Sequence, residues 1–465
     1  MKRRDRKKTA GLSLLFFACF ALTACGGGSN GTGATPSAAP TITSVNVVCN
    51  PTIVQSGRTS ACSAAVQGTG NFDSSVTWSV DLGSINSSGL YTATGTAGVA
   101  TIKATSVQAS TQFGTAALTA TARTTADRPD DMQGNQVHVL YVVPSDGADN
   151  SYDLDGRIAT SVESWEQWFA GQTSGSRIRL DTFHGALDIT FVRLGRTDAQ
   201  MGSYQASLTV WDQLEAELLE RGFTVPNKIY LAYFDGGGVG ITKCGASGLP
   251  PTKPGTVSAL YLNGTPTGAP PCSSNPLTIS ATSPGYLEFS AIHEIMHTLG
   301  IVPSCAPHTT TGHVSDSNTD LMYSGSLPWM PSVLDFNHDD YFLANIPGCL
   351  DLSRSDFLDP LPQSATSPPG WPYTILPALS CAIEGTARST GTQSTHIEFA
   401  NNSGATVNIY WLDGIGARHL YKTLAPFEGY TQGTSASTYW IATDSSGQCI
   451  ALYLAASNVG RAIVP

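Results

Sequence analysis

Five consecutive residues, His293-Glu294-Ile295-Met296-His297, constrain this chain more than any other stretch. Two imidazoles four positions apart share one face when the backbone is helical. The surroundings agree with a helix. Ser283-Pro284 is suited to its start, and Leu287, Ala291, Ile292, Ile295 and Leu299 offer apolar contacts. Gly300 stands where a left-handed residue closes a helix. Imidazoles placed in this way can reach one tetrahedral ion, so zinc is the expected cofactor and His293 and His297 are expected ligands. Glu294 lies beside them, placed to take a proton from a metal-bound water, and is the expected general base.

Such a site needs a third protein ligand. No Glu occurs between Glu294 and Glu384, which leaves a glutamate donor hard to place. The longer string His293-Glu294-Ile295-Met296-His297-Thr298-Leu299-Gly300 resembles the metzincins, where a third His follows the glycine by three residues. Here that position is Pro303, a departure from the short motif. Asp320-Leu321-Met322-Tyr323 resembles the Met-turn of the same clan, with Met322 forming the floor beneath the metal. The resemblance implies a zinc peptidase with a lengthened ligand loop. His313 is the first choice for third ligand, because neutral imidazole is the usual zinc donor. His308 and Asp316 are the alternatives, and Asp316 has a second reading as a carboxylate that orients a ligand imidazole. His338, beyond the Met-turn, reads as a surface histidine.

The amino terminus bears on location. Residues 1–8 are strongly basic, an apolar run spans Leu12 to Leu22, and Leu22-Thr23-Ala24-Cys25 precedes a Gly/Ser tether. The apolar run is short for a membrane span and has the layout of a secretory signal. Its end resembles a bacterial lipobox, which implies export, lipidation of Cys25 and anchorage to the cell envelope, at the outer membrane or cell surface. The chain carries −11 at pH 7, or about −16 without the first 24 residues. An acidic chain without a basic stripe is a poor nucleic-acid binder, so no nucleic-acid partner is expected. Of ten cysteines, Cys19 falls in the signal and Cys25 in the lipobox; the other eight, in an exported chain, read as disulfides, with local pairs Cys49–Cys62, Cys244–Cys272, Cys305–Cys349 and Cys381–Cys449 as the simplest arrangement. Asp146, Asp149, Asp153 and Asp155 lack the spacing of a calcium loop and read as helix-capping and solvated charges.

At 465 residues the chain suggests about three domains. Residues 1–25 form the signal and lipobox, and 26–40 a flexible linker. From 41 to 123, short alternating strands between Gly/Ser turns indicate an all-β sandwich. Val76-Thr77-Trp78-Ser79-Val80, Gly89-Leu90-Tyr91-Thr92-Ala93 and Ala100-Thr101-Ile102-Lys103-Ala104 resemble the bacterial Ig-like (group 2) domain, which implies a spacer with Trp78 in its core. Residues 134–360 alternate strands with helical segments at 157–170 and 208–221, an α/β (α+β) pattern for the catalytic domain. A Pro-rich linker at 361–379 leads to a second all-β sandwich, 380–465.

In that last module Val407-Asn408-Ile409-Tyr410-Trp411-Leu412-Asp413, Leu420-Tyr421-Lys422-Thr423-Leu424 and Tyr439-Trp440-Ile441-Ala442 resemble the β domain of the von Hippel–Lindau tumour suppressor. The resemblance puts Trp411, Tyr421 and Trp440 on a ligand pocket for protein partners. The same aromatics also read as sandwich core. Ser437-Thr438 stands where the family has a histidine.

The sequence thus leads to an expected function: zinc-dependent hydrolysis of peptide bonds in a protein or peptide substrate at the cell envelope. Two rival readings stay open, a surface adhesin with a non-catalytic metal site and a zinc hydrolase of cell-wall amide bonds.

Overall fold

The segment Gln136–Val143 (β1) is apolar at every position except Gln136 and His138, and all eight residues are buried. Such a run suits a strand covered on both faces, as in parallel sheets flanked by helices. The computed structural model describes residues 39–94, 96–202, 210–237, 240–250, 253–266, 270–426 and 428–465. Cys25 and the signal segment lie outside the described residues.

Around β1 a five-stranded sheet forms with Ile189–Arg193 (β2), Lys228–Phe234 (β3), Gly245–Leu249 (β4) and Lys253–Tyr261 (β5), in the order β2-β1-β3-β5-β4. The pairs β2/β1, β1/β3 and β3/β5 are parallel. Only β4 runs antiparallel, and it forms an edge of the sheet. Alternate residues of β1 serve two cores. Val137, Val139 and Tyr141 pack with Arg157–Gln172 (α1) and Tyr286–Thr298 (α3). Leu140 and Val142 pack with Trp211, Leu214 and Leu218 of Val210–Glu220 (α2) on the opposite face. The central region therefore has three layers, with α3 laid against β4 and β5.

The polar residues within buried strands are paired, as burial of charge requires. Lys228 of β3 reaches Asp127 at 2.7 Å, Asp130 at 2.6 Å and Asp181 at 2.7 Å, and the His138 ring meets Asp181 at 2.6 Å.

Two β sandwiches flank this layer structure. In the first, a sheet of Thr41–Asn50, Thr59–Thr69, Leu90–Thr92 and Ser84–Ile85 faces one of Ile53–Gln55, Phe113–Thr121, Gly98–Ser106 and Val76–Val80. Tyr91, Ala100, Ile102 and Leu118 fill its core, and Trp78 packs half-buried against it. In the second, two four-stranded sheets enclose Ile397, Phe399, Ile409, Trp440 and Tyr453. The molecule is mostly β with few helices, and the four disulfides are the local pairs expected from the sequence.

The C-terminal sandwich is joined tightly to the central layers. Trp371 and Tyr373, in the proline-rich stretch before it, are buried in the same core as α3, and the Trp371 indole donates to Asn135 Oδ1 at 3.2 Å. Arg461 is 3% exposed and forms ion pairs with Glu215 of α2 and Glu398 of its own sheet. Burial pushes both carboxyls up, and Arg461 opposes that shift. Removing one partner of a buried ionic group strands the others in low dielectric. Arg461→Met is therefore expected to lower stability by about 3–5 kcal/mol in chemical denaturation. Replacing Arg461, Glu215 and Glu398 together by apolar residues is expected to recover most of that loss.

Candidate metal centre

The helix α3 begins two residues later than Ser283-Pro284 suggested. Gly285 is its N-cap, and Glu288 Oε2 accepts from the Gly285 amide at 2.9 Å. The buried Glu288 carboxylate also accepts from Ser161 Oγ at 2.6 Å and the Thr278 amide at 3.1 Å, so packing against α1 sets the start. At the other end Gly300 has φ +73°; its amide donates to His297 O at 2.8 Å, and the Ile301 amide to Met296 O at 2.9 Å. This double bond pattern is a Schellman closure that requires a left-handed residue, and it stops the helix at Thr298, directly after the second histidine.

His293 and His297 therefore project from one face of a helix fixed at both ends. The His313 ring joins them from the short strand His313–Val314. Ligand nitrogens of the three lie within 4.8 Å of one another. Ring centroids are 4.6 Å apart for His293–His297, 4.5 Å for His297–His313 and 5.2 Å for His293–His313. The Nε2 atoms of His297 and His313 are 3.1 Å apart. Two nitrogens about 2.0–2.1 Å from a tetrahedral zinc stand roughly 3.4 Å apart, so the separation fits a shared ion with a small adjustment. The outer ring nitrogens fit as well: His293 Nδ1 donates to Leu321 O at 2.7 Å and His313 Nδ1 to Thr311 O at 3.1 Å, leaving each Nε2 as a lone-pair donor. His297 Nδ1 is buried without a partner among the described residues. Burial pushes all three imidazoles below their usual range, His293 to about 3, which holds them in the neutral, metal-binding form.

Glu294 lines the same cleft as the histidines and lies against the edge strand β4. Ser247 Oγ donates to Glu294 Oε2 at 2.7 Å. Burial pushes its carboxyl up to about 7, against the bond from Ser247. Gly245 is needed opposite it, because a Cβ there would lie 2.5 Å from Glu294 Cγ and Oε1.

Met322 is fully buried in the core that also packs α3. Its amide donates to Asp320 Oδ1 at 2.7 Å and its carbonyl accepts from the Val314 amide at 2.9 Å. The same turn thus grips His293 through Leu321 O and the His313 strand through Val314. Trp329 stacks edge-on against His293, with centroids 5.5 Å apart, and donates to Leu321 O at 3.1 Å.

The structure places the other candidates elsewhere. His308 is half-exposed and bonds Asp340, at 3.0 Å from its ring and 2.8 Å from its amide. Asp316 lies in that group with Asp339, away from the three histidines. His338 is exposed, on a short helical turn. Trp440 is 2% exposed in the C-terminal core, whereas Tyr421 is 46% exposed and meets it at 5.0 Å; Trp411 sits 6.5 Å from Tyr421. Asp149 and Asp153 hold Arg123, and Asp155 Oδ1 accepts from the first amide of α1, so the acidic run is engaged in pairing and capping.

The centre opens into a cleft of about 370 Å³ lined by the three histidines and Glu294, together with Lys243, Ser247, Tyr286, Tyr323 and Trp329. Ser247, Gly245, Lys243 and Trp329 were not singled out from the sequence. None carries a local signature, since their roles come from strands and loops folded onto α3.

No family model matches the chain, and no curated protein matches it. Among solved structures, wild-type OgpA from Akkermansia muciniphila aligns at 11% identity with a TM-score of 0.27, covering 70% of this chain and 94% of that one. Catalytically inactive OgpA from the same organism, in complex with an O-glycopeptide (glycodrosocin) substrate, aligns at 11% identity with a TM-score of 0.29, covering 70% and 93%.

Proposed function

We propose that the protein is a metzincin-like zinc endopeptidase of the cell envelope, with His293, His297 and His313 as ligands and Glu294 as general base. The carrying observation is the convergence of three neutral imidazoles, one buried and two half-buried, beside a carboxyl whose pKa is raised to about 7. Three protein ligands leave one position of a tetrahedral zinc for water, the arrangement of catalytic rather than structural sites. Zinc bound there would supply Lewis acidity and lower the pKa of that water.

The chain's own residues account for the rest. Glu294 takes the proton and returns it to the leaving amine, a shuttle that works best when its pKa lies near the working pH. Ser247 fixes the carboxylate orientation. β4 is an edge strand whose Gly245–Ser247 segment runs beside the centre, so an extended peptide can add to the sheet there and present a bond to it. Tyr286, Tyr323 and Trp329 form the walls. The edge strand beside the centre favours a peptide over a cell-wall amide, and a three-histidine donor set, which would leave a zinc coordination position to water, favours catalysis over adhesion.

Metal removal tests this directly. Chelation is expected to abolish cleavage of unfolded protein substrates, and stoichiometric zinc to restore it. Cleavage that persists at full rate in chelator would refute the reading.

A further inference from the structure

Lys243 lines the cleft beside the centre. Among the described residues lining the cleft it is the one lysine or arginine, and Glu294 is the one carboxylate. Glu294 is engaged by Ser247, and Lys243 forms no hydrogen bond or ion pair among the described residues. Its side chain is exposed. The backbone behind it is not free to move. Cys244 is bridged to Cys272, and its carbonyl accepts from the Tyr261 amide at 2.8 Å. A free cation is thus mounted on a rigid base at the mouth of the site, in a chain that is acidic overall. Its field reaches all four groups of the centre.

The position along the sheet gives that charge a direction. Glu294 touches β4 at Gly245 and Ser247, so a scissile bond beside Glu294 lies opposite those residues. Antiparallel pairing is the more stable way for a peptide to add to an edge. A peptide so paired runs towards the start of β4 as it passes the scissile bond, and Lys243 lies two residues before Gly245. We propose that Lys243 is a specificity-determining residue that selects substrates bearing a carboxylate within the first two positions on the C-terminal side of the cleaved bond. This rests on the peptidase reading above. The carboxylate can come from an acidic side chain or from a free peptide C-terminus, and both present the same anion.

The test uses the zinc-loaded full chain and matched peptides with Glu, Gln or Lys at those two positions, all amidated, plus a Gln peptide ending there in a free carboxylate. Wild type is expected to prefer Glu over Gln by about fivefold in kcat/KM, with the preference shrinking at high salt. The free-carboxylate peptide shows the same gain if the terminus is recognised and no gain if only side chains are. Lys243→Gln is expected to bring the Glu:Gln ratio to one, and Lys243→Glu to favour the Lys peptide. An unchanged ratio in Lys243→Gln overturns the inference, as does an equal loss of kcat on every peptide, which would mean charge stabilisation at the reacting bond instead. Cleavage of none of the peptides by wild type would defeat the peptidase reading itself, a distinct result from cleavage without charge preference.

Discussion

Glu294→Gln is expected to retain one zinc per chain and to lose about two to four orders of magnitude in kcat, the usual contribution of a positioned general base. Gln keeps the size of the side chain and can still receive the bond that Ser247 Oγ makes at 2.7 Å. It cannot accept a proton at pH 7. The carboxyl it replaces is held near neutrality by burial, so the wild-type group is suited both to take a proton and to give it back. Little structural disturbance is expected, because no metal–ligand bond is removed and the space beside Gly245 is unchanged. Equal turnover in Glu294→Gln would remove this residue from the chemistry.

His313→Ala is expected to act at an earlier step, lowering zinc affinity by at least about a hundredfold, since even outer-shell partners of a metal ligand are worth 10- to 100-fold. Cleavage then falls with occupancy. His308→Ala provides the contrast. Its imidazole bonds Asp340 rather than the centre, so zinc stoichiometry is expected to stay at one. Dialysis against a graded zinc buffer, with metal content read for both variants, separates the two histidines. Loss of zinc in His308→Ala and not in His313→Ala would reverse the assignment.

The parts of the centre readable from the sequence were those coded within one helix and its flanks. The four-residue spacing of His293 and His297 set their common face, and Gly300 marked the helix end that its +73° φ now explains. Met322 was visible because the turn that carries it is a short contiguous string. His313 could be ranked but not separated from His308 and Asp316, because a loop's reach depends on what anchors it. The short strand His313–Val314 and its bonds to the Met322 turn do that anchoring. Ser247, Gly245 and Lys243 were silent for a related reason. Gly245 and Ser247 come from an edge strand whose neighbour, β5, follows it in the chain, and Lys243 from the loop just before it; only the sheet brings this segment to α3. The start of α3 was misplaced by two residues because Glu288 answers to Ser161 and Thr278, partners far away in sequence or outside the helix.

In the C-terminal module the two readings of the aromatics divide by residue. Trp440 turns into the core, with its indole donating to Thr434 Oγ1 at 3.0 Å, while Tyr421 stays half-exposed on a strand of the same sheet, two places away. One spacing of aromatic residues therefore served both packing and surface, a distinction that side-chain direction along a strand decides.

On the proposed reading, His293, His297 and His313 would hold a catalytic zinc with one position left to water. X-ray absorption at the zinc edge of the purified full chain measures this directly. Three nitrogen neighbours of imidazole type and one oxygen, all at roughly 2.0–2.1 Å, are the expected first shell. A shell dominated by carboxylate oxygens, or a protein that binds no zinc, would contradict it.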